Sequence, residues 1–402
     1  MDHELEAAVA RILAAVPPPA SQCVPLTEAL GRIAAERILS SIDLPVFDNS
    51  SMDGYAVRAA DVAGATESAT VPLRLLGTVP AGQAFDGQVG AGACVRLATG
   101  SPLPQGTDTV VMQEDTRTAP DMPGTVYFAE PIKPWENVRL RGEDVRHGTA
   151  LVGPGEELTA GRLGLLAAAG VARLNVGSQP VAALLATGSE LKEPGQPLAP
   201  GQIYESNRVG LAGLIRQAGA VPKSLPLVPD TLEATQLALE SAFEQADVVV
   251  TCGGASVGEL DFVKRAFEGA GGELQFWRVA IKPGRPFVFG RWREKLLFGL
   301  PGNPVSAFVT FLLLVRPALL RWQGASQTAL AAYPGVLEEA LSNPGARRHF
   351  MRVKIEAGGK VVSAGLQASH ALSSLAKANG LVEVPPHTNL PGGATVPVLR
   401  WD

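Results

Sequence analysis

The 402-residue chain has only three cysteines, Cys23, Cys94 and Cys252, far apart and without a CxxC pair. That excludes a disulfide framework and gives no zinc spacing, so a reducing compartment is the simplest reading. A basic excess is missing too: 34 Lys and Arg stand against 39 Asp and Glu, a formal net charge of −5. Binding to nucleic acid or to an anionic membrane surface calls for a basic face, so neither partner is expected. Any anionic ligand must be held by a local arrangement. Asp2, Glu4 and Glu6 occupy the place where an export signal carries positive charge, so a cytoplasmic location is expected. The most apolar run, residues 305–315, meets Arg316 and Pro317 well short of the roughly 20 residues that span a bilayer. It reads as a buried helix. Neither GxGxxG nor GxxxxGK[ST] occurs where it would mark a dinucleotide enzyme or a P-loop kinase. His147, His349, His370 and His387 lie at no metal-ligand spacing and read as structural.

What is present is ample apolar content, 46% of residues, enough for two to four packed domains. The 44 glycines and 32 prolines, about one and a half times the usual share, predict many turns and short strands. Helical patterns are expected over residues 1–40 and again over 158–169. Between them, residues 44–137 are short apolar runs broken by turn residues, the rhythm of a β-rich insertion. From about residue 177 to 324, apolar strand-like runs alternate with amphipathic segments, which predicts right-handed crossovers and a doubly wound, mainly parallel sheet with helices on both faces. Residues 325–402 return to strands, with HFMRVKIEA and KVVSAG forming a hairpin around Gly358-Gly359. The resulting division is a linking domain (1–43 with 138–176), the inserted β-rich domain (44–137), an α/β domain (177–324) and a small C-terminal β-barrel-like domain.

The strongest chemical signal is DVVVTCGGASVGELDF, an apolar strand entering Gly253, Gly254, Ser256 and Gly258 before a helix. Glycines let backbone N–H groups approach a phosphate at a helix N-terminus, although a tight βα corner capped by Ser256 and Glu259 would look the same. Glu190 in TGSEL, Asp230 and Asp261 follow successive strands of the expected sheet, so they should gather at its carboxyl edge. Carboxylates beside a phosphate cradle suit Mg²⁺. Asp230, with Glu233 three residues on, is equally a helix N-cap candidate. Lys282 and Arg285 flank a Pro-Gly turn and, with the GLPGNPVSA corner at Pro301, Asn303 and Pro304, could hold an oxyanion. In the β-rich part Asp53 and Thr99 sit on turns, and VRLRGEDVRHG packs Arg139 and Asp144 into a charge cluster that also fits a solvated face.

In this order, FDNSSMDGYAVR, RLATGSPLP, VVMQED, RGEDV, TGSEL, GQIYESN, CGGASVGELDFVK, AIKPGRPF, GLPGNPVSA and, more loosely, SHALSSLAKANGL resemble the molybdopterin molybdenumtransferase family, the bacterial MoeA proteins and the E domain of gephyrin. The match covers nearly the whole chain. The resemblance implies a four-part subunit, an adenylyltransferase-like sheet domain and a homodimer whose cleft is shared between subunits. It implies adenylylated molybdopterin and molybdate as substrates, Mg²⁺ as cofactor, AMP as leaving group, and transient contact with the molybdopterin adenylyltransferase. Carried over residue by residue, its functional positions are Asp53, Thr99, Arg139, Asp144, Glu190, Asp230, Asp261, Lys282, Arg285 and Ser369, with Glu190 or Asp261 holding Mg²⁺ and Asp53 helping to bind or activate molybdate. TGSEL departs by having Ser189 where many relatives have an acid, and the loose last motif leaves Ser369 and Ser373 as alternatives. Two rival functions remain at this point: an adenylyltransferase on the same sheet domain, and a non-catalytic scaffold.

Overall fold

The computed structural model describes residues 2–253 and 262–401. Two compact units result: Met1–Glu36, Pro154–Thr159 and Arg173–Asp402 form the first, Arg37–Gly153 and Ala160–Ala172 the second.

The first unit is built on a six-stranded sheet in the order Val221–Ser224, Val181–Ala186, Val248–Cys252, Lys295–Leu300, Pro286–Trp292, Glu273–Arg278. The first four strands are parallel, Pro286–Trp292 runs antiparallel to them, and Glu273–Arg278 is antiparallel to Pro286–Trp292 in turn. The β-period of two sends alternate residues to opposite faces. Ala182, Leu184, Val248, Val250 and Phe298 pack with helices Leu5–Ala15, Asn207–Gln217 and the long helix 304–322. Ala183, Leu185, Val249, Val288 and Leu297 pack instead with Leu239 and Phe243 of helix Leu232–Gln245 and with Val263 and Phe267 of helix Phe262–Gly269. Both faces are covered, which is why the central strands read as unbroken apolar runs.

The apolar run at 305–315 does not stop at Pro317. Its helix continues to Trp322, with a π turn at Phe311–Val315 just before Arg316–Trp322. Proline has no N–H to donate and its ring crowds the preceding turn, and the wider turn accommodates both. This helix, Pro304–Trp322, is 72% buried over its most apolar window and belongs to the core.

Beyond it, Ala331–Leu337, Arg348–Ile355, Lys360–Ser363, Gly380–Val384 and Thr395–Arg400 close into a five-stranded barrel, closure coming from the Arg348–Ile355 to Gly380–Val384 pairing. The expected hairpin is there, with Gly358 and Gly359 at φ of 83° and 82°. The short strand Ile281–Lys282 adds to the barrel in parallel, setting Lys282 against His349.

The helical expectation for residues 1–40 is corrected. Only Leu5–Ala15 is α-helical, with a single 3-10 turn at Leu26–Glu28, and Ser21–Pro25 pairs with Arg173–Gly177. Pro17 to Pro19 end the helix. Gly31, at φ 71°, turns the chain so that Ile33 and Ala34 bridge to Glu157 and Val176.

The second unit is β-rich as expected: Thr109–Met112, Gly54–Val57, Ala93–Leu97, Val71–Val79, Thr125–Phe128 and Thr116–Thr118 lie side by side in that order. Its core includes Tyr55, Val57, Leu73, Val111, Val126 and Phe128.

Candidate functional site

A cavity of about 670 Å³ opens at the carboxyl edge of the parallel strands. Three strand ends make its floor: Ala186 to Gly188, Cys252 to Gly253, and Pro301 to Pro304 after the strand that ends at Leu300. Ligands of doubly wound sheets bind at this edge because the strand-to-helix loops converge there. Gly253 has φ 87°, and a Cβ on it would lie 2.6 Å from the Thr187 carbonyl oxygen, so no other residue fits this turn. Gly302 sits against it, its hypothetical Cβ 3.6 Å from the Gly253 Cα.

Glu190 and Asp230 both line this cavity, as their positions after successive strands predict. Glu190 is exposed and its carboxylate has no partner among the described residues. Asp230 is half-buried, and its Oδ2 accepts the Ser189 N–H at 3.0 Å. The capping alternative for Asp230 is corrected, since Thr231 is the N-cap of the following helix and its hydroxyl accepts the Ala234 N–H. Gly254, Ser256, Gly258 and Asp261 lie outside the described residues. Cys252, fully enclosed in the floor, has its thiol pushed far up by burial and offers no thiolate.

Pro301, Asn303 and Pro304 line the cavity; Lys282 and Arg285 do not, although Pro286 does. Arg285 is paired with Asp2 at 2.8 Å, which answers the need for a carboxylate beside these cations from within the chain. The described lining of this cavity thus holds the second turn of the expected cradle without Lys282 and Arg285. Ser369 contributes its backbone carbonyl, which accepts the Val305 N–H at 3.1 Å at the start of the long helix.

Two groups of lining residues escaped the sequence reading. Tyr204, Glu205, Ser206 and Asn207 come from the GQIYESN segment, where an apolar pair followed by Ser-Asn before an amphipathic helix was the available signal. Asn207 Nδ2 donates to the Gly302 carbonyl at 2.7 Å, tying that helix start to the glycine turn. His370, read as structural from its spacing, lines the cavity with Leu372. No Lys or Arg is among the described lining residues.

In the second unit Asp53 and Thr99 form a bonded pair: Asp53 Oδ1 accepts both the Thr99 N–H and the Thr99 hydroxyl, each at 2.7 Å. The Thr99 N–H and then its hydroxyl hold the exposed Asp53 carboxyl below the usual range. Arg139 lies in the Val138–Arg139 strand, paired with Asn49. Asp144 anchors its loop by its N–H, which donates to the Leu44 carbonyl. The hub of that charged loop is Asp43, which accepts from Arg141 Nε at 2.6 Å and from the His147 N–H at 2.7 Å.

Family models match nearly the whole chain: "MoeA N-terminal region (domain I and II)" over residues 3–170, "Probable molybdopterin binding domain" over 183–321 and "MoeA C-terminal region (domain IV)" over 334–401. A molybdopterin molybdenumtransferase of Haemophilus influenzae is 38% identical over 98% of this chain and 97% of its own length. Molybdopterin molybdenumtransferase 2 of Mycobacterium tuberculosis is 39% identical over 90% of each. A crystal structure of a molybdopterin biosynthesis MoeA protein from Pyrococcus horikosii superimposes with a TM-score of 0.83 and 34% identity, covering 100% of both chains.

Proposed function

Because this chain belongs to the MoeA family of molybdopterin molybdenumtransferases and is a transferase that inserts molybdenum in molybdenum cofactor biosynthesis, we propose that it takes adenylylated molybdopterin and molybdate and releases AMP in a Mg²⁺-dependent reaction. The observation that carries the reading is the meeting of Glu190 and Asp230 beside the Gly253 and Gly302 turns in one cavity. A phosphoanhydride needs close backbone approach, which glycine turns permit. It also needs countercharge, and the absence of Lys and Arg from the described lining leaves that to a divalent ion.

The donor set fits Mg²⁺, which takes oxygen ligands and is usually held by one or two carboxylates together with substrate phosphate. Glu190 and Asp230 would hold it, with Asp261 as the third acid of the sequence reading. When bound, the ion polarises phosphoryl oxygens and makes AMP the easier leaving group. The chain's own residues bind and orient. Asn207 fixes the Gly302 turn, Ser189 orients Asp230, and the enclosed Thr187 and Cys252 close the floor. Asp53, kept ionised by the Thr99 N–H and hydroxyl, helps to bind or activate molybdate. We further propose that the protein works as a homodimer in the cytoplasm and meets the adenylyltransferase transiently to receive its substrate.

The test is incubation with adenylylated molybdopterin, molybdate and Mg²⁺, following AMP and active cofactor. Both should form together and both should stop on chelation; cofactor formation without AMP, or at full rate in EDTA, overturns the reading. Sedimentation at micromolar concentration should give twice the chain mass.

A further inference from the structure

We propose that Arg208, which touches no substrate, is a positioning residue that sets the spacing of the two acids in the cavity wall. Its side chain is 7% exposed and all three guanidinium nitrogens are engaged. Nε donates to Glu205 Oε2 at 2.9 Å, Nη2 donates to Glu193 Oε1 at 2.7 Å, and Nη1 donates to the Leu225 carbonyl. These partners belong to three different connections. Glu193 follows Glu190 by three residues in the loop after the Val181–Ala186 strand. Glu205 leads into the helix Asn207–Gln217. Leu225 begins the stretch that ends at Asp230. One planar, always-charged fork therefore ties together the segments that deliver Glu190, Asn207 and Asp230, a geometry that lysine cannot reproduce.

The same contacts define what Glu205 does. Three acids among the described residues line the cavity, but Glu205, 2% exposed, is held at both oxygens, Oε1 by the Arg208 N–H at 3.0 Å and Oε2 by Nε. Its charge is spent on Arg208, and Glu190 and Asp230 remain for a metal ion. Partners one layer behind metal ligands commonly cost 10- to 100-fold in metal affinity when removed.

This inference rests on the metal reading above, so its test uses binding as well as turnover. Calorimetric titration of AMP at a series of Mg²⁺ concentrations gives the half-saturating Mg²⁺. Arg208→Lys should raise it about tenfold with kcat at saturating Mg²⁺ little changed. Glu193→Gln, which leaves no buried charge unpaired, should raise it about threefold with an unaltered melting temperature. Wild-type half-saturation in both variants, with only a lowered melting temperature in Arg208→Lys, would reduce Arg208 to a structural residue and overturn the inference. If wild-type AMP binding ignores Mg²⁺, the metal reading falls. KM for adenylylated molybdopterin then decides: raised in both variants, it supports the positioning role, and unchanged, it ends it.

Discussion

Asp53 accepts two hydrogen bonds on one oxygen, and both come from Thr99. Hydrogen bonds to the charged form lower a carboxyl pKa. Thr99→Val keeps the backbone bond and deletes the hydroxyl, so the Asp53 pKa should climb back toward the ordinary value. The acid limb of kcat/KM against pH then moves to higher pH, while kcat/KM above neutrality falls modestly; an unmoved limb would separate Asp53 from the titration. His349 makes the opposite case. It is 3% exposed, neither ring nitrogen has a partner among the described residues, and burial, then the cations Lys282, Arg352 and Arg347, pushes its pKa from 6.5 down to about 4. The unfolded chain takes up this proton first as pH falls, so the stability present above about pH 6.5 is lost progressively down to about pH 4, on the order of 3 kcal/mol. His349→Phe should flatten that part of a denaturation-midpoint profile. Neither environment was legible in the sequence. Thr99 and Asp53 are 46 residues apart, and the four histidines looked alike because spacing carries no information about burial.

Elements were more legible where periodicity and length agreed. The run at Val248–Cys252 is buried on both sides and the 232–245 segment alternates at helical period, so strand and helix were evident. Residues 1–40 misled because Ala- and Glu-rich text resembles helix on both sides of Pro17–Pro19, whereas Ser21–Pro25 is a strand by its pairing with Arg173–Gly177, a tertiary effect that propensity does not contain. The start of the helix Leu232–Gln245 shows the same limit at one residue. Asp230 was the cap candidate, yet the structure gives the cap to Thr231 and leaves Asp230 on the cavity wall. The two substitutions should therefore separate. Thr231→Ala should cost about 1 kcal/mol in urea denaturation with substrate affinity little altered. Asp230→Asn should leave the unfolding free energy within about 0.5 kcal/mol of wild type, as for substitutions outside a cap or core, yet sharply raise the Mg²⁺ needed for turnover. Equal loss of stability in both would return Asp230 to a capping role.

At the scale of the whole molecule the decisive feature is how charge is distributed in a chain of net charge −5. The sequence placed Lys282 and Arg285 near phosphate-binding turns by motif order alone. Order along a chain does not tell which side of a strand a loop will face, and the cavity lining contains neither cation. Lys282 instead sits on the strand that joins the barrel, opposite His349, and Arg285 is held by Asp2 from the N-terminus. On the proposed function, we expect the two anionic substrates to be served by different groups: the nucleotide by the glycine turns and the carboxylates with Mg²⁺, molybdate by cations outside that cavity. Binding of the two should then be separable by mutation. Lys282→Ala should raise the molybdate concentration for half-maximal cofactor formation by about tenfold, as expected for loss of a hydrogen bond to a charged group, while leaving the Kd for AMP with Mg²⁺ within twofold of wild type. Glu190→Gln should do the reverse. If Lys282→Ala weakens AMP binding as much as molybdate use, one anion site serves both substrates and the separation of charges has no functional meaning.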